Sequence, residues 1–448
     1  MATQRDISSD KLRQAGDVSI DYVNITSMAN RTGFNIKNQV ITIQIFEDLF
    51  SPFITGSLII KDSLDLINKL PFAGMEFLDL RIFTPTIDKE LKEAGIIQGR
   101  FYIYKITERE YIAEKSLVYQ LHFISSEAVQ DLNNQMSRAF EGKISDIAAK
   151  LIKETPGLET KKTLVLEPTK NNTKFVSNYW SPIKCINYLL QQATNPNNST
   201  TYTFFENRNG LNFVSLDYLN ELPSVQNFVY GTSQDDVSKT GGSTRNISRD
   251  YKKVIEFSVP AGFDYIDRIR TGTYASRMIA HDFTTKRYKT VNYDYLAKFS
   301  TGKETRLNKF PITTPDVVAR VNATIIHNET ANKVFDGYGD VSNFKMEQDR
   351  ISRMKQAESF KVSIKVKGRS DYTVGQKVFL TVYTPAPTRL SDTTEEVIDT
   401  MHSGNYLIAA INHVVDREKH ECYMELIKDS LMFDLKTGKR EWDYILVA

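Results

Sequence analysis

Hydrophobic and polar positions alternate most regularly between Phe360 and Leu431. Phe360, Val362, Ile364 and Val366 interleave with Lys361, Ser363, Lys365 and Lys367, the period-two pattern of a strand with one buried face. Gly368–Asp371 reads as a turn and Val374–Gln376 as a second, ahead of a strand over Lys377–Tyr383. A polar loop with Pro385 and Pro387 follows. Gly404–Ile411 predicts a third strand and Asp416–Lys419 a turn. Glu421–Ile427 predicts a fourth strand, with Cys422, Met424 and Leu426 on one side. The expected unit is four antiparallel strands.

An earlier stretch carries the same pattern. Strands are expected at Gly56–Lys61, Gly74–Phe83 (Leu78, Leu80 and Ile82 facing one way), Gly99–Ile106 and Leu117–Ile124. Gly99, Phe101, Ile103 and Ile106 have the spacing of Gly404, Tyr406, Ile408 and Ile411, and Thr84–Pro85 ends its strand as Thr384–Pro385 does. Proline cannot donate to a ladder, so it marks a strand end in both copies. The chain is read as two copies of one β unit.

The remaining elements follow in order. Residues 1–17 are a polar arm; Asp17–Ile25 and Ile36–Phe46 read as strands, and the charged Ile87–Ala94 as a loop or surface helix. A helix starts near Ser126, and Ile144, Ile147, Ala148, Leu151 and Ile152 form the stripe of another, closed by Pro156–Gly157. Ser181–Pro182 is an N-cap followed by proline at the first helical position. Tyr202–Glu206 and Leu211–Leu216 make a hairpin about Asn207–Gly210. Gln234–Arg249 is a linker or exposed loop, residues 251–343 are mixed, and a helix over 343–358 leads into the second β unit. The expected class is α+β, mainly β: two similar antiparallel β-barrel domains with an inserted α/β segment and connecting helices. Boundaries fall at 1–17 (arm), 18–125 (first barrel), 126–250 (helices and small α/β domain), 251–343 (connecting domain), 344–431 (second barrel) and 432–448 (tail). The tail ends in Trp442–Ala448, apolar enough to dock on its own chain or a neighbour.

Composition narrows the function. Lys and Arg number 57 against 55 Asp and Glu; so even a balance argues against a dedicated nucleic-acid binder, which gains affinity by neutralising phosphates. The polar start shows no secretory h-region, and no apolar run approaches the length of a membrane span, so no membrane insertion is expected. Sequons at Asn24 and Asn246 then read as ordinary loop composition. Cys185 and Cys422 read as buried free thiols.

Candidate chemistry is sparse. His420–Glu421 begins like HExxH, but the fifth residue is Met424 and the segment alternates as a strand, whereas ligands at i and i+4 need a helix. His413 and His420 flank a turn, with no Cys, Asp or Glu cluster expected to complete a metal site. Gly302–Lys303 is followed by Glu304 and lacks the upstream glycine of a phosphate loop. Neither a G-x-S-x-G elbow nor a dinucleotide-binding glycine pattern occurs. Two carboxylate groups, Glu108, Glu110 and Glu114, and Asp392, Glu395, Glu396 and Asp399, fall in inferred turns or a loop, where solvated charge is the ordinary state. No catalytic, cofactor-binding or metal residue is assigned, and no cofactor is expected.

Two runs carry a resemblance. Tyr202–Leu219 (YTFFENRNGLNFVSLDYL) and Gln356–Gln376 (QAESFKVSIKVKGRSDYTVGQ) resemble segments of baseplate hub proteins of contractile-tailed bacteriophages, and the order of parts matches over most of the chain. The resemblance implies tail-tube-like barrels, a homotrimer with six of them around a channel, a central spike below, and the tail tube or its initiator above. Baseplate wedge proteins and, transiently, DNA or a tape-measure protein in the channel are the other implied partners, and the location is the virion tail baseplate, assembled in the host cytoplasm. A related spike operates in type VI secretion. The family brings no catalytic residues, so a structural protein and not an enzyme is expected. The alternatives are a hub-associated cell-wall hydrolase, which a zymogram would reveal, and a receptor-binding or interaction module, which a mass measurement would separate from a trimer.

Overall fold

The computed structural model describes residues 14–28, 33–69, 74, 76–85, 96–113, 116–231, 247–261, 264–282, 286–314, 323–329, 345–384, 398–417 and 419–438. The arm before Gln14, Ile87–Ala94, most of the 234–249 linker, most of the 384–404 loop and the Trp442–Ala448 tail lie outside the described residues. The chain is mainly β, with large antiparallel sheets.

Two β units have the same six-strand order. Across the first run Val40–Asp48, Thr55–Asp62, Ser116–Ser125, Ile96–Ala113, Glu76–Phe83 and Ser19–Thr26. Across the second run Val254–Ala261, Phe360–Lys367, His420–Lys428, Gly404–Asp416, Lys377–Val382 and Ser224–Tyr230. Chain order within each unit is also the same. The strand Val254–Ala261, which the sequence pattern placed in a connecting region, thus adds to the second unit.

The register agrees in detail. Leu80 faces Gly99 as Leu380 faces Gly404, so Thr84 corresponds to Thr384. A bulge follows Ile103 in one unit and Ile408 in the other, each four residues past its glycine. A second pair of bulges falls between Val40 and Thr42 and between Val254 and Glu256. The residues they extrude, Ile41 and Ile255, are 39% and 40% exposed. A bulge costs a ladder position and bends its strand, so four matching bulges fix the correspondence more firmly than alternation can. Gly74 and Gly375 both have positive φ, 89° and 82°, a conformation glycine adopts without steric cost. One strand differs: Ser19–Thr26 is antiparallel to its neighbour, whereas Ser224–Tyr230 is parallel. A bridge from Val229 to Lys253 brings the ends of the second unit together.

Alternation buries one face of each unit. Val23, Ile43, Leu58, Leu80, Ile103 and Phe123 belong to the first core, and Val362, Ile364, Leu380, Ile411, Met424 and Leu426 to the second. The small α/β segment has its own core, built on the helices Ile144–Lys153 and Pro182–Leu190. Ser181 caps the latter by accepting from the Lys184 N–H. The hairpin of Tyr202–Asn207 and Gly210–Ser215 is buried on both faces. Tyr202, Phe204, Leu211 and Phe213 face the α/β core, and Phe205 and Val214 face the second β core. Residues 275–329 hold a three-stranded sheet with one parallel pair, Ala275–Asp282 with Ala323–Glu329, which the sequence pattern did not reveal.

Candidate functional site

The feature that distinguishes this molecule is the joint between its units. Gly404–Asp416 is shared: Gly404–Leu407 pairs with Lys377–Leu380, and Ala410–Asp416 pairs with Val40–Asp48 of the first unit. The bulge at Ile408–Ala410 sits where the partner changes, and it re-aims the strand from one unit to the other. Each core also borrows across the joint, with Val415 in the first and Leu49 in the second.

Glu47 lies at the centre of the joint and is buried. Its carboxylate accepts from the Arg208 N–H at 3.1 Å, the Val374 N–H at 3.2 Å and the Thr373 hydroxyl, tying the first unit to the hairpin turn and to the second unit. Burial pushes its carboxyl up to about 7, against the lowering effect of those three donors and of Arg208. The native state therefore holds a proton that the unfolded chain has released between pH 4.5 and 7, so stability falls as pH rises through that window. The full change is roughly 3 kcal/mol at 1.36 kcal/mol per unit. The buried neutral histidines His413 and His420 contribute the opposite trend below about pH 6.5, so the test is the difference: across that window the stability of the wild type relative to Glu47→Gln is expected to fall by this amount, and equal slopes in denaturant melts would refute the assignment.

A second set of ties is ionic. Arg353, on the helix Lys345–Ala357, is 2% exposed and makes paired hydrogen bonds to Asp217 at 3.0 and 2.5 Å. It also donates to the Ser199 hydroxyl and the Thr305 carbonyl. Glu304 lies 3.8 Å from Arg353 and 2.5 Å from Arg306, which in turn reaches Asp429 at 3.6 Å. Burial lowers the Arg353 pKa, but Asp217, Glu304 and Asp429 outweigh it and hold the guanidinium above its usual value. Arg350 donates to the Thr200 and Tyr202 carbonyls.

The histidines are a correction to the sequence reading. His413 faces Cys422 across the hairpin, and His420 lies two residues before Cys422 on the same strand face. All three are buried, and their donor atoms converge. The sequence carried this signal: closing the turn at Asp416–Lys419 sets 413 against 422, and alternation puts 420 and 422 on one side. Burial holds both imidazoles neutral, pushing His413 down to about 3 and His420 well below its ordinary value, and raises the Cys422 thiol.

Among the described residues the carboxylates do not assemble. Glu108 and Glu110 are exposed on the strand Ile96–Ala113, and Asp399 is engaged by His402 at 2.7 Å. Glu114, Asp392, Glu395 and Glu396 lie outside the described residues. His420–Glu421 lies in a strand, as its alternation required, and Glu304 belongs to the ion-pair network.

The fold is similar to that of solved tail proteins. The chain aligns over 91% of its length with the tail protein from Neisseria meningitidis MC58, covering 96% of that chain at TM-score 0.53 and 12% identity. It aligns equally far with the prophage MuSo2 43 kDa tail protein from Shewanella oneidensis, covering 98% of it at TM-score 0.52 and 10% identity. In sequence it is 21% identical over 410 residues to "Probable baseplate hub protein gp334" of Vibrio phage KVP40, spanning 88% of this chain and 91% of that one. No family model matches. The resemblance to baseplate hub proteins is borne out as a likeness: the chain is similar in sequence to a protein named as a probable baseplate hub protein and in fold to solved tail proteins.

Proposed function

We propose that this chain is the structural, non-enzymatic hub of a contractile tail. In this reading three copies form a pseudo-hexameric ring that joins the central spike to the tail tube or its initiator. The ring leaves a channel for DNA or a tape-measure protein and is gripped from outside by baseplate wedge proteins. The regions 18–125 and 344–431, extended by strands from 224–261, serve as two tube-like units per chain, so three chains meet a six-fold tube through quasi-equivalent surfaces.

One observation carries the trimer. The second unit's shared strand is flanked after its bulge by Val40–Asp48. The equivalent stretch of the first unit, Lys105–Ala113, pairs among the described residues only with Ser116–Ser125. The strand equivalent to Val40–Asp48 is Val254–Ala261, whose one ladder among the described residues is to Phe360–Lys367. An open acceptor edge and an open donor strand in one chain, matching a joint already made within that chain, suit head-to-tail addition of the next copy. Both edges carry exposed apolar residues: Tyr111 and Ile112 are 74% and 62% exposed, and Ile255 and Val259 also face solvent. Unprotected apolar edges of this kind mark an interaction surface.

Light scattering of the protein on its spike is expected to give three copies per ring; one, two or six would sink the proposal. A monomer in isolation is compatible, because the spike can template closure.

A further inference from the structure

We propose that His413, His420 and Cys422 form a transition-metal site, of zinc-type chemistry, in the second β unit where it meets the first. Nδ1 of His413 and Nε2 of His420 lie 3.0 Å apart, and the Cys422 sulfur lies 3.3 Å from the first and 3.6 Å from the second. A triangle with those sides has a point roughly 2 Å from all three atoms, the length of Zn–N and Zn–S bonds at about 2.0–2.3 Å. Two imidazoles and one thiolate are a ligand set that zinc accepts, with a fourth position left for another donor.

The surroundings are those of held ligands. A metal-bound histidine commonly anchors its other ring nitrogen, which fixes tautomer and orientation. Nδ1 of His420 is anchored in this way, 3.4 Å from the Thr84 hydroxyl, whereas Nε2 of His413 is buried without a hydrogen-bond partner. The Arg369 backbone N–H is directed at the Cys422 sulfur. Gly368 covers the His420 ring so closely that an added Cβ would stand 2.3 Å from its Cγ. Thr84 ends a strand of the first unit, whereas the three ligands and Gly368 belong to the second. A metal here would therefore tie the two strands of the second unit's hairpin together, with the first unit touching the site through Thr84. Binding exchanges the thiol proton for the metal, and because all three ligands are buried, loading accompanies folding.

The test is metal content and cobalt spectroscopy of the full chain. Protein produced with zinc and purified without chelators is expected to hold one zinc per chain, and Cys422→Ala or His413→Phe to hold none. Cys185→Ala should keep its zinc. Wild-type chain refolded with Co2+ should show a thiolate-to-cobalt charge-transfer band together with tetrahedral d–d bands, a readout that does not depend on any variant folding. Folded wild type that takes up neither zinc nor cobalt would falsify the site and leave a hydrogen-bonded cluster only. So would cobalt bound without a thiolate band, or zinc retained in Cys422→Ala.

Discussion

Arg353→Met is expected to destabilise the protein by about 3–5 kcal/mol, the cost of leaving one partner of a buried ion pair uncompensated. The side chain is 2% exposed and its guanidinium is paired with Asp217 on both oxygens, so the substitution strands a buried carboxylate and removes donors from Ser199 and the Thr305 carbonyl. Methionine keeps the stem volume, which separates lost charge from lost packing. Adding Asp217→Leu to Arg353→Met should restore much of the loss, because an apolar replacement of both partners ends the stranded charge. Denaturant unfolding of the single and double variants decides it. A single-variant cost below 1 kcal/mol would mean that the network does not hold the helix against the hairpin.

Tyr111→Asp with Ile112→Asp is expected to abolish ring formation while leaving the single chain folded. Both side chains are exposed, and surface substitutions of this kind usually change stability by about 0.5 kcal/mol or less. In the proposed ring the same residues face the next copy's Val254–Ala261, a strand that bears Glu256. Two added acids there would be desolvated beside a like charge, which is costly at an interface. Light scattering with the spike should show three copies for the wild type and none associated for the variant, with matching thermal melts for the free chains. Unimpaired trimers would remove Lys105–Ala113 from the interface.

Much of the fold was legible because strand alternation is local. The eight strands expected of the two units are all present, because a one-residue slip would turn every core side chain outward, but the third strand of each runs on past its expected end, to Ala113 and Asp416. The repeat was legible in Gly99 and Gly404, which sit opposite Leu80 and Leu380. Its full extent was hidden. The strands Ser19–Thr26 and Val40–Asp48 correspond to Ser224–Tyr230 and Val254–Ala261, but the latter are separated from their unit by an insertion and one runs in the opposite sense relative to its neighbour.

The sequence by itself thus determined the strands, their buried faces, the capped helix at Ser181 and the scarcity of catalytic motifs, since each depends on neighbours a few residues apart. Tertiary structure alone decided the joint. That Gly404–Asp416 leaves Lys377–Leu380 for Val40–Asp48, that Glu47 meets Thr373 326 residues away, and that Arg353 finds Asp217 136 residues back all depend on which edges and polar groups folding brings together. Ladder edges carry no residue code for their partner, and a buried charge announces itself only once the surrounding core has excluded water.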